Sequence, residues 1–217
     1  VVFHVLNRGV RRMRLFDSGN DYHAFLALLG RAQRRAPIVL YAYCLMPNHY
    51  HLVLRPSTDH ELSQFMHWLS FNHAHRWQAA HDASGQGHVY QGRFKAIAVQ
   101  TDLHFLILCR YVERNPVRAQ LVRRAQDWPW SSLSQRDGLR RPVRLDPWPV
   151  PLPCDWAELV NQEAEQGETT KSRDAVRRSI PYGNDDWRER MATSLGLMGR
   201  LRPFGRPKKE KGPGLLS

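Results

Sequence analysis

Acidic side chains are scarce in this chain. Its 217 residues carry 20 Asp+Glu against 32 Lys+Arg, a formal charge of +12, and the sequence pI is about 10.3. That imbalance argues against a cationic partner and for a polyanion, nucleic acid first and an anionic membrane second. Cysteine is also scarce. The three present, Cys44, Cys109 and Cys154, form no CxxC pair. Neither a disulfide framework nor a zinc knuckle is indicated, and reduced thiols in a cytoplasm are the plain reading. Long apolar runs are missing: stretches such as Phe105 to Cys109 fall far short of the ~20 residues that a membrane-spanning helix needs. No secretory pattern opens the chain. Histidine is missing from the second half, since all 11 lie between His4 and His104. Histidine chemistry therefore belongs to the first half. What is present is ample core material, 42% hydrophobic residues, so global disorder is unexpected.

Patterning predicts an α+β chain. Val1 to Leu6 is β-branched and apolar, and the turn signal Asn7-Arg8-Gly9 follows it. Asp21 to Arg35 repeats apolar residues at 3–4 spacing behind a cap at Ser18 to Asn20, and Pro37 stops it. Ile38 to Leu45 and Tyr50 to Arg55 read as a hairpin bent at Pro47-Asn48. Leu62 to Ala80 is helical. After a glycine-broken loop, Phe94 to Val99 is a fourth strand. Asp102 caps a helix running to about Asn115, where Pro116 ends it. The order β-α-β-β-α-β matches a ferredoxin-like split βαβ antiparallel sheet with helices on one face. The expected organisation is a domain over 1–122, then a Pro/Trp-rich linker and helical extension over 123–198 with helices near 156–165 and 185–195. A basic flexible tail over 199–217 ends the chain. The last 47 residues hold +7 of the +12.

Two His-x-His pairs differ in geometry. His49 and His51 open a predicted strand, where i and i+2 share a face ~7 Å apart and can converge on one ion. His73 and His75 lie in a predicted helix, about 200° apart, and belong to a core edge or the surface. Tyr111 and Asn115 are spaced i, i+4 and stack on one helix face. A tyrosine can attack a phosphodiester, and a carboxamide oxygen suits a hard cation. Two imidazoles and one amide leave coordination positions open, unlike a closed structural zinc site. Cys44 reads as core.

Here the residues resemble a known family. Met46-Pro47-Asn48-His49-Tyr50-His51-Leu52-Val53 is similar to the HUH motif of single-tyrosine transposases. Val89-Tyr90-Gln91-Gly92-Arg93-Phe94-Lys95 and Tyr111-Val112-Glu113-Arg114-Asn115-Pro116-Val117-Arg118-Ala119 resemble the REP-associated tyrosine transposases. So do Phe3 to Gly9, Trp128-Pro129-Trp130-Ser131-Ser132, Pro181-Tyr182-Gly183, Trp187 and Leu195-Gly196-Leu197. The resemblance implies that His49, His51 and Asn115 bind Mg²⁺ or Mn²⁺ and that Tyr111 is the nucleophile, forming a 5′-phosphotyrosyl bond. It implies single-stranded DNA beside a hairpin as substrate, a monomer rather than a helix-exchanged dimer, and work in the bacterial cytoplasm at the nucleoid. Two positions depart from the pattern. Tyr50 is aromatic at the middle of the HUH motif and should pack on the opposite sheet face. Asn115 stands where other single-tyrosine transposases often carry Gln.

DNA contacts are expected from Asn7, Arg8, Arg11 and Arg12 after the first strand, from Gln91, Arg93 and Lys95 at the fourth, and from Arg114 and Arg118 near the tyrosine. Tyr90 is a candidate base-stacking partner. In the tail, Arg206, Lys208 and Lys209 sit in a partial AT-hook match in which Phe204 replaces the first Arg of the Arg-Gly-Arg-Pro core. A hydrolytic nuclease and a non-catalytic hairpin-binding protein are the alternatives.

Overall fold

The computed structural model describes residues 1–163 and 166–201. Four strands form one antiparallel sheet: β1 (Val2–Arg8), β2 (Val39–Met46), β3 (His49–Arg55) and β4 (Lys95–Val99), in the order β2-β3-β1-β4. β3 lies between β1 and β2 and antiparallel to both. This is the expected split βαβ arrangement.

Helices α1 (Gly19–Arg35) and α2 (Asp59–Ala80) cover one face. Each starts in a capping box, Ser18 with Asp21 and Thr58 with Glu61, which satisfies backbone N–H groups at the first turn. Their apolar stripes close over Phe3, Val5, Tyr43, Tyr50, Leu52 and Leu54, with Phe16 and Phe25 fully buried between.

The other face is covered too, by α3 (Leu103–Glu113) and by the extension. Phe105, Leu108, Cys109 and Val112 pack on Val2, Tyr41, Cys44 and Val53. α3 stops at Glu113, two residues before the expected end. A separate turn, α4 (Asn115–Arg118), then carries Pro116 in its first positions, where a missing N–H costs nothing.

Beyond residue 122 the chain wraps the sheet. α5 (Ser132–Arg136), α6 (Trp156–Asn161), α7 (Gln166–Arg178), α8 (Asp185–Ser194) and α9 (Met198–Leu201) follow in order. The Trp-rich stretch seals the β2 edge. Leu45 N–H donates to Trp130 O, Tyr43 N–H to Ser132 Oγ, and the Trp128 and Trp148 indoles to Leu45 O and Tyr41 O. At the opposite edge Tyr182 pairs with β4, exchanging hydrogen bonds with Ala98 and Gln100. Both sheet edges are thus closed to further strand addition. Helices were expected at 156–165 and 185–195; the first is shorter, and α7 was not expected at all. None of the described helices is long and apolar enough to cross a membrane.

Candidate active site

Strand alternation decides which residues meet. On β3, Tyr50 and Leu52 enter the core under α1 and α2, so His49 and His51 point to the opposite face. Tyr50 is fully buried against Phe25 and Tyr90, as its position predicts. The two imidazoles lie edge to face with centroids 5.0 Å apart. Each has its Nδ1 engaged: His49 against Asn48 Oδ1 at 2.6 Å, and His51 against His4 Nε2 at 2.8 Å. If both protons sit on Nδ1, both Nε2 atoms present lone pairs, the form that a metal selects. The Nε2 of His51 is buried with no hydrogen-bond partner among the described residues. An orphaned acceptor of this kind is costly unless something fills it, and a divalent cation does so. The residues fit a metal.

The electrostatics agree. Burial holds the His49 imidazole down to about 4, with the charges of Arg8 and Arg118 adding to it. Burial lowers His4 to about 3, and it carries His51 well below the usual histidine range. All three are neutral near pH 7, the state in which imidazole ligates. His4 was not singled out in the sequence. It is fully buried, stacks on His51 at 5.0 Å and stands 6.3 Å from the Tyr111 ring.

Tyr111 projects from α3 to these histidines, its ring centroid 6.0 Å from that of His51. The Arg118 guanidinium lies over the phenol ring at 4.5 Å and reaches the Tyr111 hydroxyl at 3.4 Å. A cation there stabilises negative charge on the phenol oxygen or on a phosphate beside it. Asn115 is buried one turn on. Its Nδ2 donates to Tyr111 O at 2.9 Å, and its Oδ1 accepts from Arg118 at 2.6 Å. Its oxygen is therefore shared with Arg118, and a metal there would have to share or displace that contact.

α3 is anchored by a carboxylate. Glu113 is fully buried, accepts from the Ser132 hydroxyl and from Trp156 Nε1 at 2.6 Å, and lies 3.4 Å from Arg136. These partners sit on α5 and α6, so the extension fixes the helix that carries Tyr111.

Family comparison settles what kind of protein builds this site. The model for IS200-like transposases matches residues 1–115, a span that includes His49, His51, Tyr111 and Asn115. The chain belongs to the IS200-like transposase family. It is thus an enzyme that acts on DNA, cleaving and rejoining it. Among solved structures, a REP-associated tyrosine transposase bound to a REP hairpin is similar at 22% identity, with 67% of this chain and 85% of that one covered and a TM-score of 0.52. The two share a fold. A candidate transposase from Deinococcus radiodurans gives 18% identity over 56% of this chain and 85% of that one, with a TM-score of 0.38. No curated protein matches the chain.

In this transposase the predicted DNA-contacting residues divide. Asn7, Arg8, Gln91, Arg93 and Lys95 line one cleft with Tyr111. Arg11 and Arg12 are exposed in a helical turn after β1, both with positive φ, and Arg12 O accepts from Asn48, the partner of His49. Arg114 is spent elsewhere: its guanidinium reaches Asn161 O at the end of α6. Tyr90 is not a surface ring. It is buried, and its hydroxyl bonds His73 Nδ1 at 2.6 Å, which leaves Phe94 the more accessible aromatic of that stretch. Arg206, Lys208 and Lys209 lie outside the described residues. Arg173 and Arg177 of α7, absent from the sequence expectation, also line the cleft.

Proposed function

We propose that the chain is a metal-dependent single-stranded DNA endonuclease and strand transferase of the REP-associated branch, acting beside hairpins through Tyr111. The observation that carries this reading is the meeting of Tyr111, His49 and His51 on one sheet face, with Arg118 at the phenol oxygen. Tyr111 gives up its proton and its oxygen attacks the scissile phosphorus. The P–O3′ bond breaks, the 3′-oxygen takes up a proton, and the 5′-phosphate stays on the tyrosine. Attack by a 3′-hydroxyl on that bond reverses the step and joins strands. Arg118 holds the anionic oxygens near the phenol. His49, His51 and Asn115 would hold Mg²⁺ or Mn²⁺, with His4 and Asn48 fixing the imidazole tautomers. When bound, the ion supplies Lewis-acid stabilisation to the phosphate oxygens.

The anchoring of α3 to α5 and α6 of its own chain through Glu113 supports action as a monomer, with nucleophile and ligands from one chain. The work is assigned to the bacterial cytoplasm, at the nucleoid, and the unit to residues 1–122 with the extension bracing it. Incubating the protein with a labelled single-stranded hairpin and Mn²⁺ should give a denaturant-resistant adduct that EDTA prevents. Cleavage without adduct would favour hydrolysis. Binding without cleavage would favour a non-catalytic binder. Light scattering should report a monomer.

A further inference from the structure

α7 is the least expected helix in the chain, and it forms a wall of the cleft. Ala175 is buried in the core of the second face, together with Ile180 just beyond the helix. The helix ends at Arg178, and the φ of +53° at Ser179 lets Ile180 N–H return to Ala175 O. Lys95 of β4 caps this end, its ammonium donating to Val176 O at 3.2 Å and Arg177 O at 3.3 Å. A charge at the C-terminal carbonyls is favourable there. α7 is therefore tied to the sheet edge beside the nucleophile.

Arg173 and Arg177 are spaced i, i+4 and share one helix face. With Arg8, Arg93, Lys95 and Tyr111 they line a cleft of about 590 Å³ whose wall, among the described residues, includes no carboxylate. Arg173 is exposed and has no ion pair among the described residues. Arg177 pairs with Asp174 at 3.0 Å, but both side chains are largely exposed, and such a pair is weak enough for a phosphate to displace. Across the cleft, Arg8 Nε is buried without a hydrogen-bond partner among the described residues. A concave site with cations on two walls concentrates field on an anion, and the unpartnered Arg8 Nε needs an acceptor.

We propose that α7 is a phosphate clamp. In it Arg173 and Arg177 hold the backbone of single-stranded DNA as it passes Tyr111, with Arg8 and Arg93 on the opposite wall. This rests on the reading of the chain as a single-strand nuclease and adds a part to it. The extension contributes directly to the substrate path, at positions beyond the family match, which ends at residue 115.

The test is equilibrium binding of a fluorescent DNA hairpin with and without a single-stranded flank, measured across a salt series in the full chain. Tyr111→Phe serves as background, so that cleavage does not intervene. Arg173→Ala/Arg177→Ala should flatten the salt dependence for the flanked hairpin by about 1.4 log units per log unit of salt, from ~0.7 per contacted single-strand phosphate. Its affinity deficit should then be about 25-fold greater at 0.1 M than at 1 M salt. The hairpin without a flank should lose little. Arg173→Lys/Arg177→Lys should restore most of the slope, and Arg76→Ala, an exposed site away from the cleft, should leave it unchanged. An unchanged slope would overturn the clamp, and so would equal losses on both DNAs. Tighter binding by the alanine variant would make α7 a cover instead of a clamp, and would equally overturn it. Failure of the nuclease reading shows separately: the parent protein would bind with the full slope yet form no adduct.

Discussion

The two faces of this sheet are made from alternate residues of the same strands, yet they are built on opposite principles. Beneath α1 and α2 lies a mainly apolar core of Phe16, Phe25, Leu26, Leu29, Tyr50 and Leu52. Beneath α3 and the extension the sheet buries His4, His51, Glu113, Asn115 and Ser132. Apolar burial on the first face stabilises at roughly 1.5–3 kcal/mol per large side chain. The second face has an apolar core as well, around Phe105, Leu108 and Val112, but adds polar groups that cost free energy unless partnered. Some are partnered within the chain, as Glu113 is by Ser132, Trp156 and Arg136. The Nε2 of His51 has no partner among the described residues. The first face is mainly apolar packing, and the second adds a polar site to an apolar core of its own.

The largest expected contrast comes from one truncation on each face. Phe25→Ala should cost about 3–5 kcal/mol in denaturant unfolding, with the adduct formed per folded molecule unchanged. His51→Ala should cost less stability than Phe25→Ala while weakening Mn²⁺ binding by more than about a hundredfold, read by calorimetry, since loss of a ligand exceeds loss of its support. Equal effects of the two on stability would erase the distinction between the faces.

Glu113→Ala joins the two principles. It leaves the Trp156 indole and Arg136 facing an empty buried site, and should cost about 3–5 kcal/mol. Because the same carboxylate fixes α3, kcat should fall even where the protein remains folded. A destabilised variant with unchanged kcat would show that the anchoring of Tyr111 does not depend on it.

A smaller effect is expected at His4. His4→Ala removes the group that fixes the His51 ring, and Mn²⁺ affinity should drop about 10–100-fold. His4→Gln, which can still accept from Nδ1–H, should recover part of it.

The smallest effect lies on the first face and concerns pH. His73 is buried on Tyr90, and burial holds it down to about 3. Unfolding returns it to its ordinary value near 6.5, so between these values the unfolded chain binds the extra proton and stability falls as the medium is acidified. His73→Asn should reduce proton uptake on unfolding by close to one between pH 6 and 4, measured from denaturation midpoints across pH. An unaltered slope would contradict the burial argument.

Much of this was legible in the sequence. The split βαβ order followed from strand and helix periodicity; His49-x-His51 and Tyr111 with Asn115 stood out by their spacing, and their joint role came from the family resemblance. His4 was not legible. It is one histidine in a β-branched strand, and only the β1–β3 register, Leu6 opposite His51, brings it to the site. The Pro/Trp-rich stretch read as a linker because prolines break local periodicity. Its tryptophans pack through indole hydrogen bonds to β2 carbonyls, a long-range device without a local signature. α7 escaped because Gly167, Thr169 and Thr170 carry low helix propensity, while buried Ala175 and the Lys95 cap stabilise the helix from outside it.

The central claim is that the second face performs phosphodiester chemistry through Tyr111. Its most direct test is to trap the denaturant-resistant product of a hairpin oligonucleotide with Mn²⁺, digest the protein and locate the nucleotide mass by mass spectrometry. A 5′-phosphonucleotide is expected on the peptide containing Tyr111, and none in Tyr111→Phe. A nucleotide on another tyrosine, or an adduct that survives Tyr111→Phe, would contradict it.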